Sequence, residues 1–152
     1  MSIPIEAAST GKGVSIESVA NVLERESVAV TKDWLVRVEL DSDLISISLN
    51  FEERTGHLPQ LLRDVVTRLR LNADSKASAS EAASLHGGMR RKQGYTAAMT
   101  VQESRLLQVT IFSMLHRNVT CLEFATLLPD VVTIADEVDA QLKQQMLRFM
   151  AV

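Results

Sequence analysis

The sequence predicts an all-α fold, a bundle of about five to six helices in a single domain. Apolar residues make up 46% of the 152 residues but aromatic residues only 4%, so the core is built from aliphatic side chains, many of which favour helices. Apolar residues also recur at three- and four-residue steps along several segments. The stretch 106–115 contains no charged residue, which places its helix at the centre of the bundle. The related globin-like packing is the alternative arrangement.

The first part of the chain predicts a leader followed by a long helix. Residues 1–13 are small, polar and glycine-containing, which is typical of a mobile leader, and 14–152 form the helical domain. A first helix is expected from Ser15 to about Leu40, with a break near Ser27 where the apolar stripe is disturbed.

The middle of the chain predicts short elements joined by polar connectors. Residues 41–49 alternate too briefly for a strand and are interpreted as a connector. Asn50 suits the N-cap of a short helix over 51–55, and Pro59 suits the first turn of the next helix. Residues 72–80 are expected to form a surface loop.

Three long helices and one short helix are predicted in the second half. One runs from about Ser80 to Gln93 with Gly94 as its C-cap, and the next from Thr96 to His116.

The last long helix is expected to begin or kink at Pro129 after a short preceding helix. Its nearly heptad-spaced stripe predicts a dimer contact or a path for signal transmission; the stripe contains Val138, Leu142, Met146 and Phe149. Because no stop signal precedes Val152, we expect this helix to continue into a downstream module.

Composition excludes several classes of partner and site. The net charge of −3 argues against nucleic acid. A single cysteine, Cys121, cannot form an intrachain disulfide or a thiolate metal cluster. Neither a signal pattern nor an apolar run of about 20 residues is present, so we expect a cytoplasmic protein without membrane contact.

Motifs of catalysis and metal binding are missing from the sequence. Gly87 and Gly88 lack the Lys-Ser/Thr that follows a phosphate loop. His57, His86 and His116 are far apart in sequence and have no ligand partner at helical spacing. The sequence therefore predicts no catalytic residue, no metal ligand and no cofactor.

One polar cluster can be predicted from helix spacing. His86 and Arg90 stand four residues apart and share a helix face. If the helices on either side of residue 95 form an antiparallel hairpin, Glu103 and Arg105 lie near the level of His86. Such a set is either a polar network that fixes the helices or a ligand-contacting or proton-sensing cluster.

Two alternatives to a binding and signalling role follow from the histidines. A globin-like carrier would bind haem or another small ligand through His86 or His116. A small helical enzyme would work through His86 and Glu103. The scarcity of aromatic residues to enclose a porphyrin disfavours the first.

Two segments of the chain resemble a known family of regulatory domains. Residues 86–107 (HGGMRRKQGYTAAMTVQESRLL) and 51–62 (FEERTGHLPQLL) are similar to the N-terminal domain of RsbRD-type stressosome co-antagonists, which is also found ahead of bacterial sensor histidine kinases. The matching positions are His86, Arg90, Gly94, Tyr95, Glu103, Arg105, Leu106 and Leu107, with Arg54, His57, Leu58, Pro59, Leu61 and Leu62 in the earlier segment. The sequence departs from the pattern at 100–102, where Thr, Val and Gln replace a more charged stretch.

The resemblance covers about residues 15–150 and implies a function. It implies a non-catalytic, cytoplasmic sensor domain that dimerises and passes a signal to a kinase or other output module. It also implies a globin-like fold without haem, and a ligand or signalling cluster of His86, Arg90, Tyr95, Glu103 and Arg105. The ligand itself cannot be named from the sequence.

Overall fold

The computed structural model describes residue 13 and residues 15–71 and 76–151, and all regular structure in these ranges is helical. The predicted leader lies almost entirely outside the described residues. Six helices of seven residues or more and two shorter ones occur in the described ranges, which confirms the all-α prediction. They are α1 (Val19–Arg25), α2 (Ser27–Glu39), α3 (Ser42–Ile45), α4 (Phe51–Thr55), α5 (Leu58–Leu69), α6 (Glu81–Lys92), α7 (Ala97–Arg117) and α8 (Phe124–Met150).

The predicted break in the first helix is present, but the helix begins later than predicted. Ser18, and not Ser15, is the N-cap, and its hydroxyl accepts a hydrogen bond from the backbone N–H of Asn21. Glu26 separates α1 from α2. The connector over 41–49 contains the single helical turn α3, capped by the carboxylate of Asp41.

Local capping determines where α4, α6 and α7 begin. Asn50 and Glu53 form a reciprocal capping box at α4. Ser80 and Thr96 cap α6 and α7. Between these two helices Gly94 has a φ of 90°, the left-handed conformation that favours glycine at the end of a helix.

The prediction that the last long helix begins at Pro129 is wrong, because α8 runs from Phe124 to Met150 and contains Pro129. Pro129 is the sixth residue of α8, so the helix loses only the hydrogen bond that its missing N–H would have donated to Ala125. The hydroxyl of Thr133 donates to the carbonyl oxygen of Pro129 at 3.1 Å.

The core lies between α1, α2, α5, α7 and α8, and α6 packs closely on α8. The sequence predicts that the helices before and after residue 95 form a hairpin. In the structure, however, α6 packs mainly against α8 and not against α7. At the α6–α8 contact, a Cβ added to Gly87 would lie 2.1 Å from the carbonyl oxygen of Gln145. Only glycine therefore permits this approach of the two helix backbones.

Polar contacts join α5 to α8 as well. The guanidinium of Arg68 contacts Asp136 at 2.5 Å and Glu137 at 3.2 Å, and the side-chain amide of Gln141 donates to the carbonyl oxygen of Leu61 at 3.0 Å. Among the described residues, no helix combines the length and apolarity that crossing a bilayer requires.

Candidate functional site

A buried carboxylate, Glu103, is the centre of a polar cluster at the level where α4, α6 and α7 meet. Its Oε1 accepts a hydrogen bond from Nε of Arg90 at 2.9 Å and lies 3.3 Å from Nε2 of His86. Its Oε2 accepts from the hydroxyl of Tyr95 at 2.8 Å. The side chain of Glu103 is 3% exposed, and a carboxylate so buried persists as a charge only with such partners.

Two arginines extend the cluster to the backbone of the short helices. Arg90 donates to the carbonyl oxygens of Glu53 and Arg54 at 2.9 and 2.8 Å. Arg54 donates to the hydroxyl of Tyr95 and to the carbonyl oxygens of Leu44 and Ile47. The cluster therefore holds α3, α4, α6 and α7 together through charge-assisted hydrogen bonds.

A pair of histidines forms the other side of the cluster. The rings of His57 and His86 are stacked with centroids 3.5 Å apart and an angle of 11° between their planes. The only tryptophan, Trp34, meets His57 edge-on at 5.6 Å, and its indole N–H donates to the carbonyl oxygen of Glu103. Nδ1 of His57 is buried and has no hydrogen-bond partner among the residues that the structure describes.

Burial and neighbouring charges shift the pKa values of the cluster. Burial lowers the pKa of His57 well below its ordinary value, and the charges of His86 and Arg90 lower it further. Burial also lowers the pKa of His86, although Glu103 acts in the opposite direction. Both imidazoles are thus neutral near pH 7.

The carboxyl and phenol groups shift in opposite directions. Burial acts to raise the pKa of Glu103, but hydrogen bonding from His86 and the charge of Arg90 outweigh it, and the pKa lies below its ordinary value. The pKa of Tyr95 is raised, mainly by burial and by the adjacent Glu103 carboxylate. The cluster therefore contains an ionised Glu103 and a neutral Tyr95.

His57, His86 and Glu103 offer three possible metal ligands within 4.8 Å of one another. An imidazole binds a metal through a lone pair in the plane of its ring, at about 2.0–2.1 Å. Because the two rings are stacked and almost parallel, their lone pairs do not converge on one point. Glu103 is also already bound to Arg90 and Tyr95, so the arrangement is suited to a polar network better than to a metal.

A surface groove leads to the stacked histidines. It lies between α4, the start of α5 and α6, and its volume is 380 Å³. His57 and His86 line it, together with Leu85 and Met89 of α6 and the acidic Glu52 of α4. The buried cluster therefore has one side that a small molecule can reach.

Four of the five predicted cluster residues are brought together and one is not. His86, Arg90, Tyr95 and Glu103 are all buried and in contact, whereas Arg105 is exposed on α7 and lies outside the cluster. The reason is helical geometry, since a residue two positions from Glu103 lies on the opposite side of α7.

The predicted dimer stripe of the last helix is mostly occupied within the chain. Val138 and Phe149 belong to the core and Met146 packs against it, while Leu142 is half-buried. A dimer contact through Val138 and Phe149 is therefore wrong for this structure. Their role in transmitting a change along α8 stays a prediction.

The positions of His86 and His116 do not favour haem. His86 is covered on one face by His57, and its Nε2 lies against Glu103. His116 is exposed near the end of α7. The groove of 380 Å³ is also small for a porphyrin.

Sequence reasoning from spacing missed two members of the cluster, Arg54 and His57. They are separated from His86 along the chain by α5 and the segment between α5 and α6, so no local periodicity connects them. The one signal that selected both was the resemblance of residues 51–62. Comparison with protein-family models, with curated proteins and with solved structures gave no match.

Proposed function

We propose that this chain is a non-catalytic regulatory input domain of a bacterial cytoplasmic signalling protein, of the type in which a sensor histidine kinase follows. In this proposal the groove over His57 and His86 is the input, and α8 carries the response to the output module. The support is geometric, together with the resemblance of residues 51–62 and 86–107. Six polar residues of these segments meet in one cluster: Arg54, His57, His86, Arg90, Tyr95 and Glu103.

The observation that carries the proposal is the double contact of α6. His86 and Arg90 on this helix belong to the buried cluster, while the adjacent Gly87 lies against the backbone of α8 at Gln145. Because the backbones touch there with no side chain between them, a shift of α6 must be accommodated by α8. Small helix shifts of this kind transmit signals in regulatory domains.

The proposed protein is a homodimer, and its contact surface is the exposed start of α8. Phe124, Leu128 and Val132 are 86, 73 and 68% exposed and stand four residues apart on one face. In an antiparallel pair with its two-fold axis at Leu128, Phe124 of each copy faces Val132 of the other. In this arrangement the acidic Glu123 and Asp130 of each copy face threonines of the other copy. In a parallel pair each acidic residue would lie beside its own counterpart, so like charges would come together.

The test of the regulatory role measures amide hydrogen exchange along α8 after the cluster is perturbed. Glu103→Gln removes the charge that binds Arg90 and weakens the hydrogen bonds of α6. We expect faster exchange within 134–150 of α8, although no side-chain hydrogen bond of Glu103 reaches that helix among the described residues.

The matched control is Arg105→Gln, which also removes one charge from α7 but at an exposed position outside the cluster. It should leave exchange along α8 unchanged. If Glu103→Gln accelerates exchange only in α6 and α7, and α8 behaves as in the wild type, the proposed path is wrong.

A further inference from the structure

The groove over His57 and His86 exposes apolar side chains in a concave place. Leu85 and Met89 are 59 and 52% exposed, and they stand four residues apart on the face of α6 that lines the groove. Ala82, one turn earlier, continues the same wall. Exposed Leu and Met side chains gathered in a groove are typical of a surface that contacts a ligand.

The charged side chains that line the groove are acidic, while Arg63, outside the lining, donates to the side chain of the lining residue Gln60. Glu52 and Glu53 lie at its rim, and the described residues that line it include no Lys or Arg. The nearby guanidiniums of Arg54 and Arg90 are buried and engaged with carbonyl oxygens, Tyr95 and Glu103. Acidic groups on apolar walls attract a cation and repel an anion.

The histidines at the base of the groove do not oppose a cation. Their rings are neutral near pH 7 because burial disfavours the charged form. His86 is buried, but His57 is only half-buried, and a planar or cationic group can pack against the part of its ring that His86 and Trp34 leave uncovered.

The size of the groove limits the ligand. At 380 Å³ it lies at the low end of the range of about 300–1,000 Å³ found for small-molecule sites. We infer that the groove binds a small hydrophobic cation, a primary amine carried on an aromatic or bulky aliphatic group. This inference rests on the proposed function, because it assumes that the groove is the site at which the signal is received.

The test titrates the whole chain with phenethylamine and, as a matched probe of opposite charge, with phenylacetate. Binding is followed by NMR through the imidazole signals of His57 and His86 and the methyl signals of Leu85 and Met89. We expect phenethylamine to shift these signals with a Kd of about 1 mM. Phenylacetate, which has the same ring but an anionic group, should not shift them.

Two pairs of variants test the residues that carry the inference. Glu52→Lys should weaken phenethylamine binding about fivefold, while Glu39→Lys, an exposed acid outside the groove, should not. Leu85→Gln should weaken it by about the same factor through lost apolar contact. Leu147→Gln is the control, because Leu147 on α8 is exposed to the same extent, 58%.

The outcomes separate this inference from the proposed function. Equal shifts by phenethylamine and phenylacetate, or no shift with either probe, would overturn the amine site. Neither outcome would change the effect of Glu103→Gln on α8 that the proposed function predicts. Binding of phenethylamine with unchanged amide exchange along α8 would support the amine site and contradict the proposed response.

Discussion

The single residue with the strictest steric requirement is Gly87, at the crossing of α6 and α8. Because an added Cβ would meet the carbonyl oxygen of Gln145 at 2.1 Å, Gly87→Ala must push two helix backbones apart. We expect a loss of about 3 kcal/mol in the free energy of unfolding, or failure to fold. Urea denaturation followed by circular dichroism measures this change.

The neighbouring glycine provides the control for this prediction. A Cβ on Gly88 would meet only the flexible side chain of Arg148, at 3.2 Å. Gly88→Ala should therefore change the stability by no more than about 1 kcal/mol, since alanine also favours the helix. Equal effects of the two substitutions would show that the close crossing does not determine stability.

The two stacked histidines give the stability a pH dependence. The pKa values of His57 and His86 are lowered in the folded state, so the unfolded chain binds more protons once the pH falls below about 6.5. Their contribution is therefore complete above that pH and decreases as the pH falls toward the folded-state pKa values. The lowered pKa of Glu103 adds a further loss below about pH 4.5.

Denaturation at several pH values tests the histidine effect. Between about pH 7 and pH 5 the free energy of unfolding should fall by up to about 1.4 kcal/mol per pH unit for each buried histidine. His57→Leu should reduce the slope, because the variant retains only one of the two histidines. A wild-type slope that His57→Leu does not change would contradict the assignment to this pair.

Helical spacing in the sequence predicted only some of the residues that form the cluster. The spacing of His86 and Arg90 on one helix was enough to place them on a common face, and Glu103 does meet them. Arg54 and His57 approach through the packing of α4 and α5 against α6, which no local pattern encodes. Long side chains, and not the predicted close hairpin, bridge the distance between α6 and α7.

At the scale of elements, α8 differs most from the expectation. The sequence predicts its apolar stripe from Val138 to Phe149, but periodicity alone does not distinguish a stripe that faces the core from one that faces a partner. Here the stripe faces the core and α6, and exposed apolar residues occur at both ends of the helix, most strongly at its start. The predicted start of the helix at Pro129 was wrong because a proline near the beginning of a helix removes few hydrogen bonds and can lie within the helix.

The exposed start of α8 leads to a prediction about association. Leu128→Glu places two carboxylates opposite each other at the proposed two-fold axis and should convert the dimer to a monomer. Sedimentation velocity at increasing concentration measures the change. Leu147→Glu, at a similarly exposed position near the other end of the helix, should leave the dimer intact; a wild-type chain that remains monomeric would refute this interface.

At the scale of the whole molecule, the helical bundle was predictable because composition, capping residues and apolar periodicity all indicate the same structure. Asn50, Ser80, Thr96 and Gly94 lie at the helix ends where their side chains or conformations predict them. Which helices touch was not predictable in the same way. The pairing of α6 with α8 depends on the absence of a side chain at Gly87. The sequence alone does not reveal this requirement, because it arises only when the two helices pack together.

The central claim is that the buried cluster and α8 behave as one coupled unit, and a double-mutant cycle tests it most directly. Glu103→Gln and Leu142→Ala perturb the cluster and α8 separately, and Arg105→Gln with Leu142→Ala is the control cycle. We predict that the free energies of unfolding in the first cycle depart from additivity by more than about 0.5 kcal/mol, while the control cycle is additive within that limit. Additivity in both cycles would contradict the account.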